Sequence, residues 1–369
     1  MELNNIRIFT PDGVFRKGNI KFGKAIEDIN LCDEPSDSGD MLIPGLVDIH
    51  THGAVGFDFS DCGKDELAEM MRYYAGNGVT SVQGTIISSP KEQAVWAASL
   101  LGSVVGTRPG NGAKLAGINM EGPFLSPGKR GAHMIQNLME PSIDYFERAW
   151  KASNEKIKLI TIAPELVGAD ELIGSIVSRV RVSLGHSETD YDTACRAFDA
   201  GATQGTHLFN AMSPFSHRSP GLIGAAIDSV VFAEIVSDGI HLHPVIVRAA
   251  FMLFPGRVCI ISDSLRCAGL GDGNYESGGQ PITVQNGKAV LADGTLAGSN
   301  ISLQKALTCA VSFGIPLEAA IAASTINPAM AAGISDDNGS IAVGRAADLV
   351  LLADDLSIRQ VFIDGEEIV

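Results

Sequence analysis

Pro44-Gly45-Leu46-Val47-Asp48-Ile49-His50-Thr51-His52-Gly53 is an apolar run that ends in two histidines two residues apart. Side chains at i and i+2 of a strand project to the same side. A strand over 43–49 therefore presents both imidazoles together where it ends, as a chelating pair. Gly53 then lets the chain turn away. Alone, a His-x-His pair also suits an ordinary surface. Here the histidines are concentrated: positions 50, 52, 133, 186, 207, 217, 241 and 243 hold them all, and most follow an apolar, strand-like run.

Outward from this stretch, strands and helices alternate. Eight strands are expected, over 43–49, 79–87, 114–120, 156–163, 180–185, 203–208, 230–237 and 257–262. Helical periodicity lies between most of them: Lys64–Asn77 sets Leu67, Met70, Met71 and Tyr74 on one face, and Asp190–Ala200 and Pro244–Phe254 are others. Eight β/α repeats over residues 44–333 match a (β/α)8 TIM-type barrel carrying insertions. A doubly wound open sheet fits less well, because no Gly-rich dinucleotide fingerprint follows any strand. Residues 1–43 and 334–369 are strand-like, with Ile6–Phe9 before a Pro11-Asp12-Gly13 turn, then Asp348–Leu352, Val361–Ile363 and an Asp364-Gly365 turn. Both ends are expected to build one small β-sandwich domain. Two insertions stand out: a long loop at 124–140, and 266–300 with a hairpin over 281–292 turning at Asn286-Gly287.

Composition narrows the function. A hydrophobic share of 45% supports a large core, and a net charge of -16 argues against a general nucleic-acid or anionic-membrane surface. A small anion would need local donors working against that charge. The cysteines at 32, 62, 195, 259, 267 and 309 are scattered without a C-x-x-C pair, as expected for reduced thiols in a cytoplasmic protein. The segment Met1–Asn5 has no signal-peptide character, and no apolar run is long enough for a membrane span.

Barrel active sites form at the C-terminal ends of the strands. His50 and His52 end strand one, Glu121 strand three, His186 strand five, His207 strand six and Asp263 strand eight; Asp238 and His241 follow strand seven. Singly, each has an ordinary reading, as a hydrogen-bonded structural histidine, a loop cap or a helix N-cap. Jointly they crowd one rim with imidazoles and carboxylates. That set suits Zn²⁺ or Fe²⁺, and without clustered cysteines it is not a structural zinc finger. Metal-assisted hydrolysis needs a bound water acidified to about pKa 7, a carboxylate to shuttle its proton, and a donor for the developing oxyanion. Asp263, alone on strand eight, is the best base; the histidines and Glu121 are better ligands.

The His-x-His strand, the later single histidines and the final Asp resemble the amidohydrolase superfamily. Within it, Glu121-Gly122-Pro123-Phe124, His207-Leu208-Phe209-Asn210-Ala211-Met212, Ser237-Asp238-Gly239-Ile240-His241 and Asp293-Gly294-Thr295-Leu296-Ala297-Gly298 resemble the N-acetylglucosamine-6-phosphate deacetylase family. The resemblance runs along nearly the whole chain. It implies metal-dependent hydrolysis of N-acetylglucosamine 6-phosphate to glucosamine 6-phosphate and acetate, in amino-sugar catabolism. It implies Glu121, His186 and His207 as principal ligands of a divalent metal, zinc or iron. His50 and His52 would hold a second, with Glu121 bridging. Asp263 would be general base and then acid, and His133 would reach the acetyl carbonyl, where its residue-level reading is a solvated loop histidine. For phosphate, the backbone N–H groups of Asn210 and Ala211, the His241 imidazole and the Arg218 guanidinium are candidates. In the family this arginine serves the neighbouring subunit, which implies a homodimer. His217 and His243 are left structural or exposed. The chain departs from the family's pattern at Ser262 and Ser264, which flank the Asp, and at Asn119, two residues before the Glu.

Other readings are the galacto epimer, a cyclic-amide hydrolase or dipeptidase, and a non-catalytic binding barrel. Cyclic-amide hydrolases and dipeptidases commonly bridge metals with a carboxylated lysine, whereas Glu121 stands at that place here. A non-catalytic barrel would tend to lose the ligands and base this chain keeps.

Overall fold

A computed structural model describes residues 1–32 and 39–369. Residues 33–38, within the N-terminal segment expected to be strand-rich, lie outside the described residues. Eight parallel strands pair in chain order: Leu46–Thr51, Val79–Ile87, Lys114–Glu121, Ile157–Ile162, Arg181–Leu184, Gln204–Gly205, Phe232–Ile235 and Val258–Ile260. The rim closes between the eighth and the first, where Asp263 N donates to His50 O at 2.9 Å and His52 N donates to Ser264 O at 2.8 Å. The expected barrel is the observed one.

Two facings fix what the barrel presents. Val47 and Ile49 pack outward with Val236, Cys259 and Ile261 against Ala329 and Ala331 of the helix Ile326–Ala331. By strand alternation, Asp48 and His50 then face inward. The interior is polar: Gln83, Asn119, Thr161, Ser183, Gln204 and Glu234 are all fully buried. Outside, the helix Lys64–Gly76 buries Leu67, Met70, Met71 and Tyr74, as its period predicts, and starts with the Glu66 carboxylate accepting from Gly63 N.

The sixth and eighth strands are shorter than expected. Chain beyond Gly205 leaves the sheet because Leu208 N is drawn to Glu234 O at 2.7 Å, with His207 in the left-handed region. The segment after Ile260 does likewise at Asp263.

Strands from both chain ends form one seven-stranded sheet, in the order Glu366–Glu367, Ile358–Ile363, Leu349–Leu352, Met41–Pro44, Glu2–Phe9, Phe15–Phe22, Ile26–Leu31. It curls until its halves face each other. The Phe22 and Phe362 rings meet edge to face at 5.2 Å although three strands separate them in the sheet, over a core with Ile8, Ile20, Leu42 and Leu349. This is the sandwich-like packing expected of the two ends. Lys114, opening the third barrel strand, reaches Asp348 and Asp364 at 2.9 and 2.6 Å and ties barrel to sheet.

The 266–300 insertion holds three antiparallel strands, Gly273–Ser277, Gln280–Gln285 and Lys288–Leu291, one more than the expected hairpin. Its Asn286-Gly287 turn has positive φ at both residues, as a two-residue hairpin turn requires. Phe22→Ala is expected to cost about 3 kcal/mol of stability in urea unfolding, while leaving cation binding at the barrel rim intact.

Candidate metal centre and active site

The rim residues converge on one carboxylate. Glu121 Oε1 lies 3.0 Å from His186 Nε2, 3.0 Å from His207 Nε2 and 3.3 Å from His50 Nε2. Its Oε2 lies 3.0 Å from His133 Nε2 and 3.2 Å from His52 Nε2. Asp263 Oδ1 sits 3.4 Å from His52 Nε2 and 3.8 Å from His50 Nε2. Each of the seven residues is buried.

Backbone conformation aims these groups. His186, His207 and Asp263 have φ of 48°, 27° and 48°. The left-handed region costs a residue with a Cβ roughly 1–2 kcal/mol. Three such residues at three strand ends store strain where the side chains must swing over the barrel mouth. Two glycines permit close passage instead. A Cβ on Gly53 would lie 2.1 Å from Phe57 O, and one on Gly298 would lie 2.5 Å from Asp263 O. Gly53 thus closes the chain tightly against 57–58 after the His-x-His pair. Gly298 lets the Asp293–Gly298 segment run beside the candidate base.

The charge pattern has the chemistry of a cation site. Burial favours neutral carboxyls, yet His50, His133 and His186 outweigh it and hold Glu121 well below the usual carboxylate range. Asp263, also buried, is pushed down to about 2 by its His52 bond and nearby imidazoles. Burial lowers His52, but Asp263 and Glu121 win and push it up to about 9. For His186 burial wins, down to about 4. Its Nδ1 lies 2.8 Å from the Lys129 carbonyl, which can only accept, so the neutral ring carries its proton there. Its bare Nε2 then faces a carboxylate oxygen at 3.0 Å and His207 Nε2 at 3.0 Å. Two acceptors, His186 Nε2 and Glu121 Oε1, facing each other in a buried site call for a cation between them. Zinc–ligand distances of roughly 2.0–2.2 Å place neighbouring tetrahedral ligands roughly 3.3 Å apart, close to these separations. The residues fit a divalent cation in two overlapping sets, His50–His52–Glu121 and Glu121–His133–His186; in the second, His207 Nε2, 3.0 Å from both Glu121 Oε1 and His186 Nε2, can stand as third ligand in place of His133.

A cavity of about 250 Å³ opens over this cluster. His52, Glu121, His133, His186, His207 and Asp263 line it, as do Asn210, Ala211 and His241. His133 is buried beside Glu121, so the 124–140 loop folds back over the rim and does not leave it solvated. His241 gives Nδ1–H to Asp238 at 2.7 Å and Nε2–H to the Ala297 carbonyl at 3.0 Å. Asn210 N donates to His207 O at 3.0 Å, so that N–H is engaged in the turn itself and is not held open for an anion. Arg218 is exposed and lines a different hollow, with Glu188, Asp190 and Tyr191, away from its own chain's cluster. His217 is exposed, and His243 caps the helix Pro244–Leu253 by accepting from Val245 N.

The departures from the family's pattern are bonded in. Ser264 Oγ donates to Gly53 O at 2.8 Å and meets Thr51 Oγ1 at 2.7 Å, which in turn meets Tyr74 Oη at 2.8 Å. Ser262 Oγ accepts from Ser264 N, and Asn119 Nδ2 donates to Ile49 O at 3.1 Å. Three residues escaped the sequence reading. Glu234 accepts from His50 Nδ1 at 2.9 Å. Asp48, two residues before His50, is pushed up to about 7 by burial. Ser277 of the inserted sheet lines the cavity with a buried hydroxyl that has no partner among the described residues. A lone charge inside an apolar strand was the available signal for the first two.

A barrel with a histidine–carboxylate centre at its C-terminal rim defines a metal-dependent hydrolase architecture. The chain belongs to the amidohydrolase family, whose model matches residues 41–368. Its relatives include the N-acetylglucosamine-6-phosphate deacetylase of Bacillus subtilis, 37% identical over 88% of this chain and 83% of that protein. They also include the N-acetylgalactosamine-6-phosphate deacetylase of Escherichia coli O157:H7, 32% identical over 93% and 91%. Among solved structures, the N-acetyl-D-glucosamine-6-phosphate deacetylase of Mycobacterium smegmatis, a mutant in complex with N-acetyl-D-glucosamine-6-phosphate, superposes with a TM-score of 0.93. It is 31% identical, over 100% of this chain and 99% of that one.

Glu121→Gln replaces the shared carboxylate by a neutral amide. The variant is expected to lose divalent metal on dialysis that wild type retains, as elemental analysis of the two would show.

Proposed function

We propose that this chain hydrolyses the acetamide of N-acetylglucosamine 6-phosphate, yielding acetate and glucosamine 6-phosphate. The observation that carries this reading is the Glu121 carboxylate ringed by imidazoles, with ionised Asp263 beside it, opening on one cavity that also reaches His241. Glu121, His186 and His207 would hold one divalent cation, zinc or iron; His50 and His52, sharing Glu121, would hold a second. When bound, the cation supplies Lewis-acid polarisation and lowers the pKa of water to about 7.

The residues of the chain do the rest. Asp263 takes a proton from the attacking water as the new C–O bond forms. It returns that proton to the amine as the C–N bond breaks. His133 donates from Nε2 to the acetyl oxygen, where negative charge develops. The Ala211 N–H binds phosphate in this reading, joined by the His241 imidazole once its Nε2–H turns from the Ala297 carbonyl to the anion, with the Asn210 side chain beside them. Arg218 belongs to a second copy's site in this reading, which makes the enzyme a homodimer. Residues 44–333 form the catalytic domain, and 1–43 with 334–369 the supporting one. Localisation is cytoplasmic; no helix among the described residues is long and apolar enough to cross a membrane.

Acetate release from the phosphorylated gluco sugar, its galacto epimer and the unphosphorylated sugar tests the reading. Fast, chelator-sensitive release from the phosphorylated gluco sugar alone is expected. The similarity to a galactosamine-6-phosphate deacetylase supports the second reading, and release from the galacto epimer alone would establish it. Asp263→Asn is expected to lower kcat on the order of 10²–10⁴-fold with metal content retained; near-normal turnover would remove Asp263 from its role.

Phosphate binding carries its own pH signature. Burial lowers the His241 pKa, but the Asp238 bond and charge outweigh it and hold it above the usual 6.5. A raised imidazole pKa means the cation is present below that value and lost as pH rises through it. KM for the phosphorylated sugar is therefore expected to climb on the alkaline side. His241→Asn should flatten that limb and raise KM at neutral pH.

A further inference from the structure

Glu234 takes no part in the chemistry above, yet it is fully buried at the metal centre, in the seventh strand Phe232–Ile235. Three donors converge on its carboxylate: His50 Nδ1 at 2.9 Å, Gln204 Nε2 at 2.8 Å and the His207 backbone N at 3.3 Å. Because a carboxylate only accepts, His50 must carry its proton on Nδ1. The opposite nitrogen, Nε2, is thereby turned toward Glu121 Oε1 at 3.3 Å and Asp263 Oδ1 at 3.8 Å, and it has no hydrogen-bond partner among the described residues. His52 lacks such a brace, since its Nδ1 is buried without a partner. One half of the His-x-His pair is thus held from behind by a hydrogen-bonded negative charge, and the other has no hydrogen bond behind it. Glu234 is also absent from the residues lining the cavity, so substrate does not touch it.

We infer that Glu234 is the positioning residue for a second cation at His50, His52 and Glu121, and that its charge decides whether that position is filled. An anionic acceptor behind a ligating imidazole fixes its tautomer and strengthens it as a donor, and loss of such a partner typically costs 10–100-fold in metal affinity. The first position has its own support, the Lys129 carbonyl behind His186, and Glu234 meets it only through the backbone N–H of His207. Glu234 braces a ligand ring at the second position alone, which makes the two positions separable. This rests on the two-cation form of the proposed function.

Glu234→Gln is the informative change. Gln204 Oε1 has no partner among the described residues, so the Gln204 amide can flip to face the new side chain and leave an acceptor for His50. Chelator-stripped wild type and variant would be titrated with Co²⁺, read by its visible absorption and by metal content after dialysis. Wild type is expected to take two equivalents per chain. In E234Q the first should bind within about threefold of wild type, with the second weakened roughly 10–100-fold. His50→Asn should lose the same second equivalent, and adding E234Q to it should change nothing further. Equal binding of both equivalents in E234Q and wild type would overturn the inference. So would equal weakening of both, the mark of a merely structural role, or a full E234Q effect persisting in the His50→Asn background. Uptake of a single equivalent by wild type would overturn it through the two-cation reading, and no uptake would overturn the metal reading itself.

Discussion

A single buried carboxylate, Glu121, organises the molecule's working end. Five imidazoles approach it from the first, third–fourth, fifth and sixth segments of the barrel. No pair of neighbouring strands contributes them all, so the cluster exists only when the sheet closes into a ring. Without a cation the cluster is internally opposed: His52 is held protonated while His186 is held neutral, both within reach of one carboxylate. That opposition is the usual cost of a preformed metal site, and metal binding relieves it by displacing protons.

The barrel tolerates this because the strain is distributed. Left-handed backbone at His186, His207 and Asp263 would be costly in a flexible loop. Here each lies two or three residues beyond a strand whose outward side chains lock into the helix layer. Polar groups of the barrel interior, such as the Thr161–Thr206–Ser183 hydroxyl chain, satisfy one another beneath the rim. The Tyr74–Thr51–Ser264 chain does the same between strands one and eight. Serine at 264 is therefore part of the seam that shuts the barrel, which accounts for its departure from the family's pattern.

Much of this was legible in the sequence. Strand period and strand-end placement are local properties, and they located His50, His52, Glu121, His186, His207 and Asp263 at one rim. What was not legible depends on distant partners. Glu234 is a charge in an apolar strand, and nothing local says that it faces His50 from the far side of the barrel. His133 sits on a loop whose return path is set by long-range bonds, including Gln280 Nε2 to the Ala132 carbonyl. The early end of strand six follows from Leu208 bonding to Glu234, again a partner far along the chain. The extra strand of the insertion, Gly273–Ser277, has Tyr275 as its one large apolar side chain and so shows no apolar strand period.

The seven-stranded sheet has a consequence for biosynthesis. Its central strand, Met41–Pro44, leads directly into Leu46–Thr51, the first strand of the barrel, and pairs on its other side with Leu349–Leu352. On the ribosome the N-terminal strands emerge early, while their C-terminal partners appear only after the whole barrel has been made. An apolar sheet edge therefore waits uncovered through most of translation, in the state most open to wrong pairing. The strand Leu349–Leu352 acts as the latch, covering that edge once it pairs with Met41–Pro44.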